Sequence, residues 1–368
     1  MVVVEDSLVQ RVHLVAALEA DGDIEVVGQA ANAIDAIEQV TRLRPHVVTL
    51  DLQIPAGGGQ FALEQIMADA PTPVVVLSST VRSDASAPAM EALVGGALIA
   101  LPKPLTWTPA LEKELRRHVR TMRNVPVIRH IRGKLNRQPA APSPTRRQPH
   151  PVAAPTAERS STPALSPPTT PASGASRSTG AVVAIAASTG GPPALATVLG
   201  GLRGLRSPVL VVQHMHADFV QSLVDWMARV AALPVVMARH GEPLRPGVIH
   251  IGPGGSHLRV GAGGRVELVD RPATIHRPSA DQLFESIAAN VGAQAIGVVL
   301  TGMGDDGAVG LSAMHRRGAH TIVQDEETCA VYGMPRAAKR LGAADLQLPL
   351  PAIAAAIMRA ARRPGVLR

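Results

Sequence analysis

Short aliphatic runs alternating with amphipathic stretches constrain this chain more than any other feature. Before residue 124 the runs are Val2–Val4, Glu25–Gly28, Val47–Leu50, Val74–Leu77 and Ala97–Leu101, each of strand length and too apolar for a surface loop. Between and after them Ser7–Ala20, Ala33–Arg42, Gln60–Asp69, Ala85–Val94 and Leu111–Arg123 read as helices. Five such units predict an open parallel sheet covered by helices on both faces, because strands buried on both sides become nearly continuous aliphatic runs. Composition agrees. The chain is 46% hydrophobic but only 2% aromatic, so its cores must be built from Val, Leu, Ile and Ala.

The alternation returns near Thr179, with strands expected at Val182–Ala186, Val209–Gln213 and Ala295–Leu300, each followed by a turn and a helix-like pattern. Between them His250–Val269 is short-stranded and Gly-rich and reads as antiparallel hairpins. The stretch separating the two regions is rich in Pro, Ser, Thr and Ala and has neither helical nor strand period, which marks an extended connector. Domains are therefore expected over 1–123 and 179–368, joined by a disordered linker over 124–178.

The linker also locates the charge. It carries eight basic residues against one acid, Glu158, which is the whole formal surplus of +7. A connector without aromatic residues for base stacking, and without a helix-turn-helix pattern, does not predict nucleic acid as a partner. No apolar run approaches the ~18 residues of a membrane span. Glu5 and Asp6 stand where a signal peptide would carry Lys or Arg. One cysteine, Cys329, excludes an internal disulfide, and its surroundings, VQDEETCAVYG, read as a buried strand. The expectation is a cytoplasmic protein with no membrane insertion.

Open α/β sheets bind ligands at the carboxyl ends of their strands. In the first region those ends offer Glu5 and Asp6, then Asp51, then Ser78 and Ser79, then Lys103. Converging carboxylates repel one another unless a hard cation joins them, and Mg²⁺ suits such oxygens. Asp51 beside a metal is a candidate nucleophile toward a phosphoryl group, with Ser78 and Lys103 to receive the phosphoryl oxygens. Helix capping by Asp6 and Ser7 is the plainer alternative.

VVVEDS, VVTLDLQIP, VVVLSS and LPKP, in that order, resemble the receiver domain of two-component response regulators. The resemblance implies a flavodoxin-like fold, Asp51 phosphorylated by a partner histidine kinase, Mg²⁺ held by Glu5, Asp6 and Asp51, and Ser78 and Lys103 as switch residues. Gly58 departs from the family's usual Asp and Ala100 from its switch aromatic, and the first strand starts close to Met1.

In the second region three strand ends carry Ser188, His214 and the turn TGMGDDG with Asp305 and Asp306. A serine hydroxyl attacks only when a base takes its proton, and an imidazole is the better base when a carboxylate orients it. Gly190 and Gly191 permit close approach to a ligand, and the following helix start, with the Met303 N–H, offers donors for an oxyanion. Plainer readings exist for each: Ser188 as a cap, His214 as a core histidine, and Asp305 or Asp306 capping a helix near Gly307. Neither a dinucleotide loop nor a Walker A loop is present. A zinc site from His214, His216 and Asp306 is a rival grouping.

AIAASTGGPPAL, VVQHMHADFVQSL, IHIGPGGSHL, HRPSADQLFESIA and GVVLTGMGDDGAVGL with YGMPRAA resemble the catalytic domain of chemotaxis protein-glutamate methylesterases. The resemblance implies a Rossmann-like hydrolase domain with Ser188 as nucleophile, His214 as base, Asp306 as orienting carboxylate, and Thr189 and Met303 lining the oxyanion and substrate site. It implies demethylation of glutamate methyl esters, and deamidation of glutamines, on methyl-accepting chemotaxis receptors, with no cofactor for that reaction. Ala186 and His216-Ala217-Asp218 depart from the family pattern. The contrasting expectation is a non-enzymatic response regulator that acts by binding a protein or nucleic-acid partner.

Overall fold

A computed structural model describes residues 1–78, 86–104, 106–123, 125, 127 and 181–362. The linker expected over 124–178 therefore lies outside the described residues except at two positions, and so does Ser79.

The N-terminal runs form β1 (Val2–Val4), β2 (Gly28–Ala30), β3 (Val48–Asp51), β4 (Val74–Ser78) and β5 (Ile99–Pro102). They pair in parallel in the order β2-β1-β3-β4-β5. Helices α1 (Leu8–Glu19), α2 (Ala33–Leu43), α3 (Gly58–Asp69), α4 (Ser86–Val94) and α5 (Pro109–Met122) connect them and follow β5. Alternate strand residues point to opposite faces. Val2, Val4 and Leu50 thus join the core under α2 and α3, while Val3, Val75 and Leu77 join Leu14, Leu18, Leu115 and Val119 of α1 and α5. The sheet is doubly wound, as its sequence predicts. The second strand forms three residues later than the run Glu25–Gly28. The Val26 N–H is taken by Glu19 Oε1 at 2.8 Å, and the edge strand that follows needs no apolar run.

The C-terminal unit has a seven-stranded parallel sheet ordered β14-β13-β12-β6-β7-β9-β8. Its strands are β6 (Val182–Ala187), β7 (Val209–Gln213), β8 (Val235–Met237), β9 (Ile249–Ile251), β12 (Ala295–Val299), β13 (His320–Gln324) and β14 (Leu346–Leu348). A separate antiparallel hairpin joins β10 (His257–Gly261) to β11 (Arg265–Val269). The helices are α6 (Gly191–Gly200), α7 (Ala217–Val230), α8 (Ala280–Asn290), α9 (Ala308–Arg316), α10 (Met334–Arg340) and α11 (Leu350–Ala361).

Two expectations are corrected here. His250 does not begin a hairpin: β9 lies between β7 and β8, parallel to both. The fully buried His250 ring is tolerated there because its Nδ1 meets Glu242 Oε1 at 3.1 Å. Cys329 is buried but lies beyond β13 in a loop. The carboxylate of Asp325 accepts from the backbone N–H and the hydroxyl of Thr328 at 3.0 and 2.6 Å, closing a turn that ends the strand.

The two units are in contact. Helix α4 packs on α7, and Met90 and Leu93 share one buried apolar cluster with Val220 and Val224. Ala330 and Val331 pack against the N-terminal core beside Leu77 and Leu98. No helix among the described residues is long and apolar enough to cross a membrane.

Candidate functional site

Two rims carry the candidate residues. On the N-terminal rim β1 delivers Glu5, fully buried, and β3 ends in Asp51, 3% exposed. Ligand oxygens of Glu5, Asp6 and Asp51 lie within 4.8 Å of one another. Lys103, just beyond β5, places its Nζ 2.6 Å from both Glu5 Oε2 and Asp51 Oδ2. Burial alone would lower the Lys103 pKa, but its two carboxylate partners raise it. Burial raises that of Glu5 against the pull of Lys103. Glu5 Oε2 is buried and close to the ammonium, yet not aligned with it as a hydrogen bond. A buried, incompletely satisfied carboxylate within a three-acid cluster fits a hard divalent cation. Ser78 ends β4, and its carbonyl accepts from the Lys103 N–H at 2.7 Å.

The departure at Gly58 has a local cause. Ala56, Gly57 and Gly58 take φ of 61, 111 and 83° in succession, a left-handed path that a second bulky side chain would strain. This path leads into α3 and brings Gly59 against the Asp51 carbonyl, where no Cβ would fit.

The C-terminal rim assembles on three adjacent strands. Strand β6 lies between β7 and β12, so Ser188, His214 and the TGMGDDG turn emerge side by side. The Ser188 N–H donates to Thr301 O at 3.0 Å, and the His214 N–H to Ala187 O at 2.9 Å. Gln213 Nε2 donates to the carbonyls of both Ser188 and His214, at 2.8 and 3.0 Å, fixing one turn relative to the other. Thr301 Oγ1 donates to Thr189 O at 3.0 Å. No hydrogen bond to the N–H of Thr189 or Met303 forms among the described residues.

His214 Nε2 lies 2.8 Å from Asp306 Oδ2, short in distance although not aligned as a hydrogen bond, and Nδ1 is buried without a partner. Asp306 does not cap the helix that follows it. It reaches across to α8, accepting from Ser279 Oγ at 2.8 Å and from the N–H groups of Ala280 and Asp281 at 2.7 and 3.1 Å. Burial opposes ionisation of Asp306, but His214 and these donors prevail and hold its pKa well below the usual carboxylate range. The rival zinc grouping is not assembled: His216 is exposed and pairs with Asp218, where its Nδ1 accepts from the helix-start N–H at 3.4 Å. Burial pushes the Cys329 thiol up to about 12, so it is no nucleophile at neutral pH.

Sequence reasoning missed three residues of this rim. Gln213 reads as the end of a strand. His276 stacks on His214 with ring centroids 4.2 Å apart and planes 8° from parallel. Burial, then the neighbouring His214, lowers its pKa to about 4, so it is neutral at physiological pH. Asp281 is pushed up to about 6, chiefly by burial. The signal was present in HRPSADQLF, where Ser279 and Gln282 form the S-x-x-Q pattern of a helix start.

The N-terminal unit lies over this rim. The Gly190 N–H donates to Leu98 O across the boundary at 3.4 Å. A cavity of about 370 Å³ lies between the units, lined by Ser188, His214 and Met303 on one side and Leu98, Trp107 and Leu111 on the other.

Comparison with known proteins gives two family matches. A family model described as CheB methylesterase matches residues 183–357, and one described as response regulator receiver domain matches residues 1–116. The chain is 39% identical over 358 residues to "Protein-glutamate methylesterase/protein-glutamine glutaminase 3" of Anaeromyxobacter dehalogenans, covering 96% of each. It is 39% identical over 375 residues to the protein of the same activity name from Rhizobium etli, covering 99% of this chain and 98% of that one. It is 40% identical over 370 residues to one from Myxococcus xanthus, covering 99% and 97% respectively.

Proposed function

This chain belongs to the CheB methylesterase family with a response regulator receiver domain, and from that premise we propose that it demethylates glutamate methyl esters on chemotaxis receptors under control of Asp51 phosphorylation. The observation that carries the reading is the convergence of Ser188, His214 and Asp306 on three adjacent strand ends, with His214 2.8 Å from Asp306.

Ser188 Oγ attacks the side-chain carbonyl carbon while the His214 nitrogen turned away from Asp306 takes its proton. Asp306, held ionised by the Ser279 hydroxyl and the first two N–H groups of α8, orients the ring and stabilises the imidazolium. The N–H groups of Thr189 and Met303 receive the oxyanion. The ester C–O bond then breaks and methoxide leaves as methanol with the proton from His214. Water repeats the path and releases glutamate. With a glutamine side chain the leaving group is ammonia.

In the receiver, Asp51 accepts a phosphoryl group from a histidine kinase, and Glu5, Asp6 and Asp51 would hold Mg²⁺. The bound cation would neutralise charge that builds up on the transferring phosphoryl oxygens. Ser78 and Lys103 bind those oxygens, and Lys103 then leaves its present pairing with Glu5. Loss of that arrangement loosens the contact at Leu98 and α4 and uncovers the serine turn. The protein works in the cytoplasm, where receptor signalling segments lie, with residues 124–178 as the tether.

Methanol release from methylated receptor tests this, comparing wild type with Ser188→Ala, each with and without a small phosphodonor and Mg²⁺. Release that rises with phosphodonor and falls by about 10³ or more in the variant is the expected result. Equal release by both would remove Ser188 from the reaction.

A further inference from the structure

We propose that the closed arrangement excludes substrates by size and leaves Ser188 open to small esters, so that the unphosphorylated chain hydrolyses methyl esters of amino-acid size. The inference rests on the esterase reading of Ser188 and concerns which substrates reach it before phosphorylation.

The cavity between the units holds about 370 Å³ and includes Ser188, His214 and Met303 in its lining. It also includes Ile275 and Leu111, which are 84% and 37% exposed, so it opens to solvent. A receptor helix is about 10–12 Å wide with its side chains and continues past any one turn, whereas the two units meet across this rim at the Gly190 N–H and Leu98 O, 3.4 Å apart, and again where α4 packs on α7. A receptor helix therefore does not fit beneath the receiver. A single blocked glutamate methyl ester does, since pockets of about 300–1,000 Å³ take small molecules.

The chemistry also survives closure. The receiver occupies one donor of the serine turn, the Gly190 N–H, through Leu98 O. The N–H groups of Thr189 and Met303 stay unbonded among the described residues, and His214 keeps Asp306. The step is the one already derived: an Oγ–C bond forms and the C–OCH₃ bond breaks. Methanol carries off the proton that His214 took from Ser188, and water then frees the acid.

The test uses the full chain and two substrates with the same reacting bond, methylated receptor and N-acetylglutamate α-amide γ-methyl ester, with methanol as the common readout. Without phosphodonor the small ester is turned over at a rate within about threefold of that with phosphodonor, while receptor demethylation rises about tenfold or more. Leu111→Trp, which fills the cavity mouth, lowers the small-ester rate of the resting chain about tenfold, and phosphodonor restores it. A small-ester rate that rises with phosphodonor in the same proportion as the receptor rate would overturn the size filter. Methanol release that survives Ser188→Ala would instead strike the esterase reading itself.

Discussion

Asp306 and Asp281 exchange helix caps. Asp306, which precedes α9, accepts from the first N–H groups of α8, while Asp281, in the first turn of α8, accepts from the Gly310 N–H of α9 at 2.7 Å. Each helix start is thus neutralised by a carboxylate from the other, satisfying donors that a helix cannot satisfy internally. Gly310 permits the approach, since a Cβ there would meet the backbone of Asp281. The carboxylate paired with His214 is therefore positioned by a helix pair rather than by its own loop.

The exchange predicts opposite pH behaviour for the two acids. The Asp281 pKa is raised to about 6, so the folded state binds a proton more tightly than the unfolded state. Its contribution is full below the unfolded carboxylate pKa and is lost as pH rises through about 6. Asp306 is depressed, so its contribution is present at neutral pH and is lost as pH falls into the acid range. Asp281→Asn keeps an acceptor for Gly310 without a buried charge. It should raise stability at pH 7.5 by on the order of 1 kcal/mol, or about 2–4 °C in Tm. The gain should shrink toward pH 4, as thermal melts across that range will show. Asp281→Ala should cost about 1 kcal/mol as a lost cap at pH 5 and below.

Gln213 couples the nucleophile turn to the base. Its Nε2 donates to two carbonyls and its Oε1 is buried without a partner, so the amide is held from one side only. Gln213→Leu removes the donor to the His214 carbonyl, at a cost of about 1–3 kcal/mol where no water replaces it, and leaves the Ser188 carbonyl with the Gly191 N–H at 2.8 Å. Methanol-release kinetics should show kcat reduced about tenfold or more with KM little changed, because the groups it positions act in the reaction rather than in binding. Gln213→Glu should be worse than Leu, since it turns a buried negative charge toward carbonyl oxygens.

Much of this arrangement is legible in the chain. The aliphatic runs locate the parallel strands, and the strand-end rule alone brings Asp51, Lys103, Ser188, His214 and Asp306 onto two rims. What stays hidden depends on contacts remote in sequence. His250 looks like hairpin because nothing near it announces Glu242 as the partner that lets it enter a buried parallel strand. Asp306 looks like the cap of its own helix, and only the packing of α8 against α9 shows that the caps are crossed. His276 lies in a loop without period, and its value comes from the ring on which it stacks.

That stack gives a third prediction. His276 is neutral above about pH 5, so its contact with His214 is one of shape and not of charge. Phe presents a similar flat face. His276→Phe should keep kcat within about threefold of wild type, whereas His276→Ala should lower it by about tenfold or more by letting the His214 ring rotate. Single-turnover rates of both variants across pH 5–8 check this. A wild-type rate in the Ala variant would show that Asp306 alone fixes the ring.

The last prediction concerns the acid rim, where Lys103 stands between Glu5 and Asp51 at 2.6 Å from each. An ammonium in that position compensates the charge of two buried carboxylates. Lys103→Met removes the compensation and the group that reads the phosphoryl oxygens. Glu5 should then hold its proton to higher pH, since burial already raises its pKa and the lysine opposes that rise. Receptor demethylation by the variant should stay at its resting rate when phosphodonor and Mg²⁺ are added, even if Asp51 is phosphorylated. Chelation of Mg²⁺ should abolish the phosphodonor response of wild type while leaving Ser188-dependent hydrolysis of the small ester intact, because that reaction needs only groups of the other rim. Phosphate incorporation measured beside methanol release separates the outcomes: a variant that is phosphorylated but silent places Lys103 in transmission, and one that is not phosphorylated places it in phosphoryl transfer.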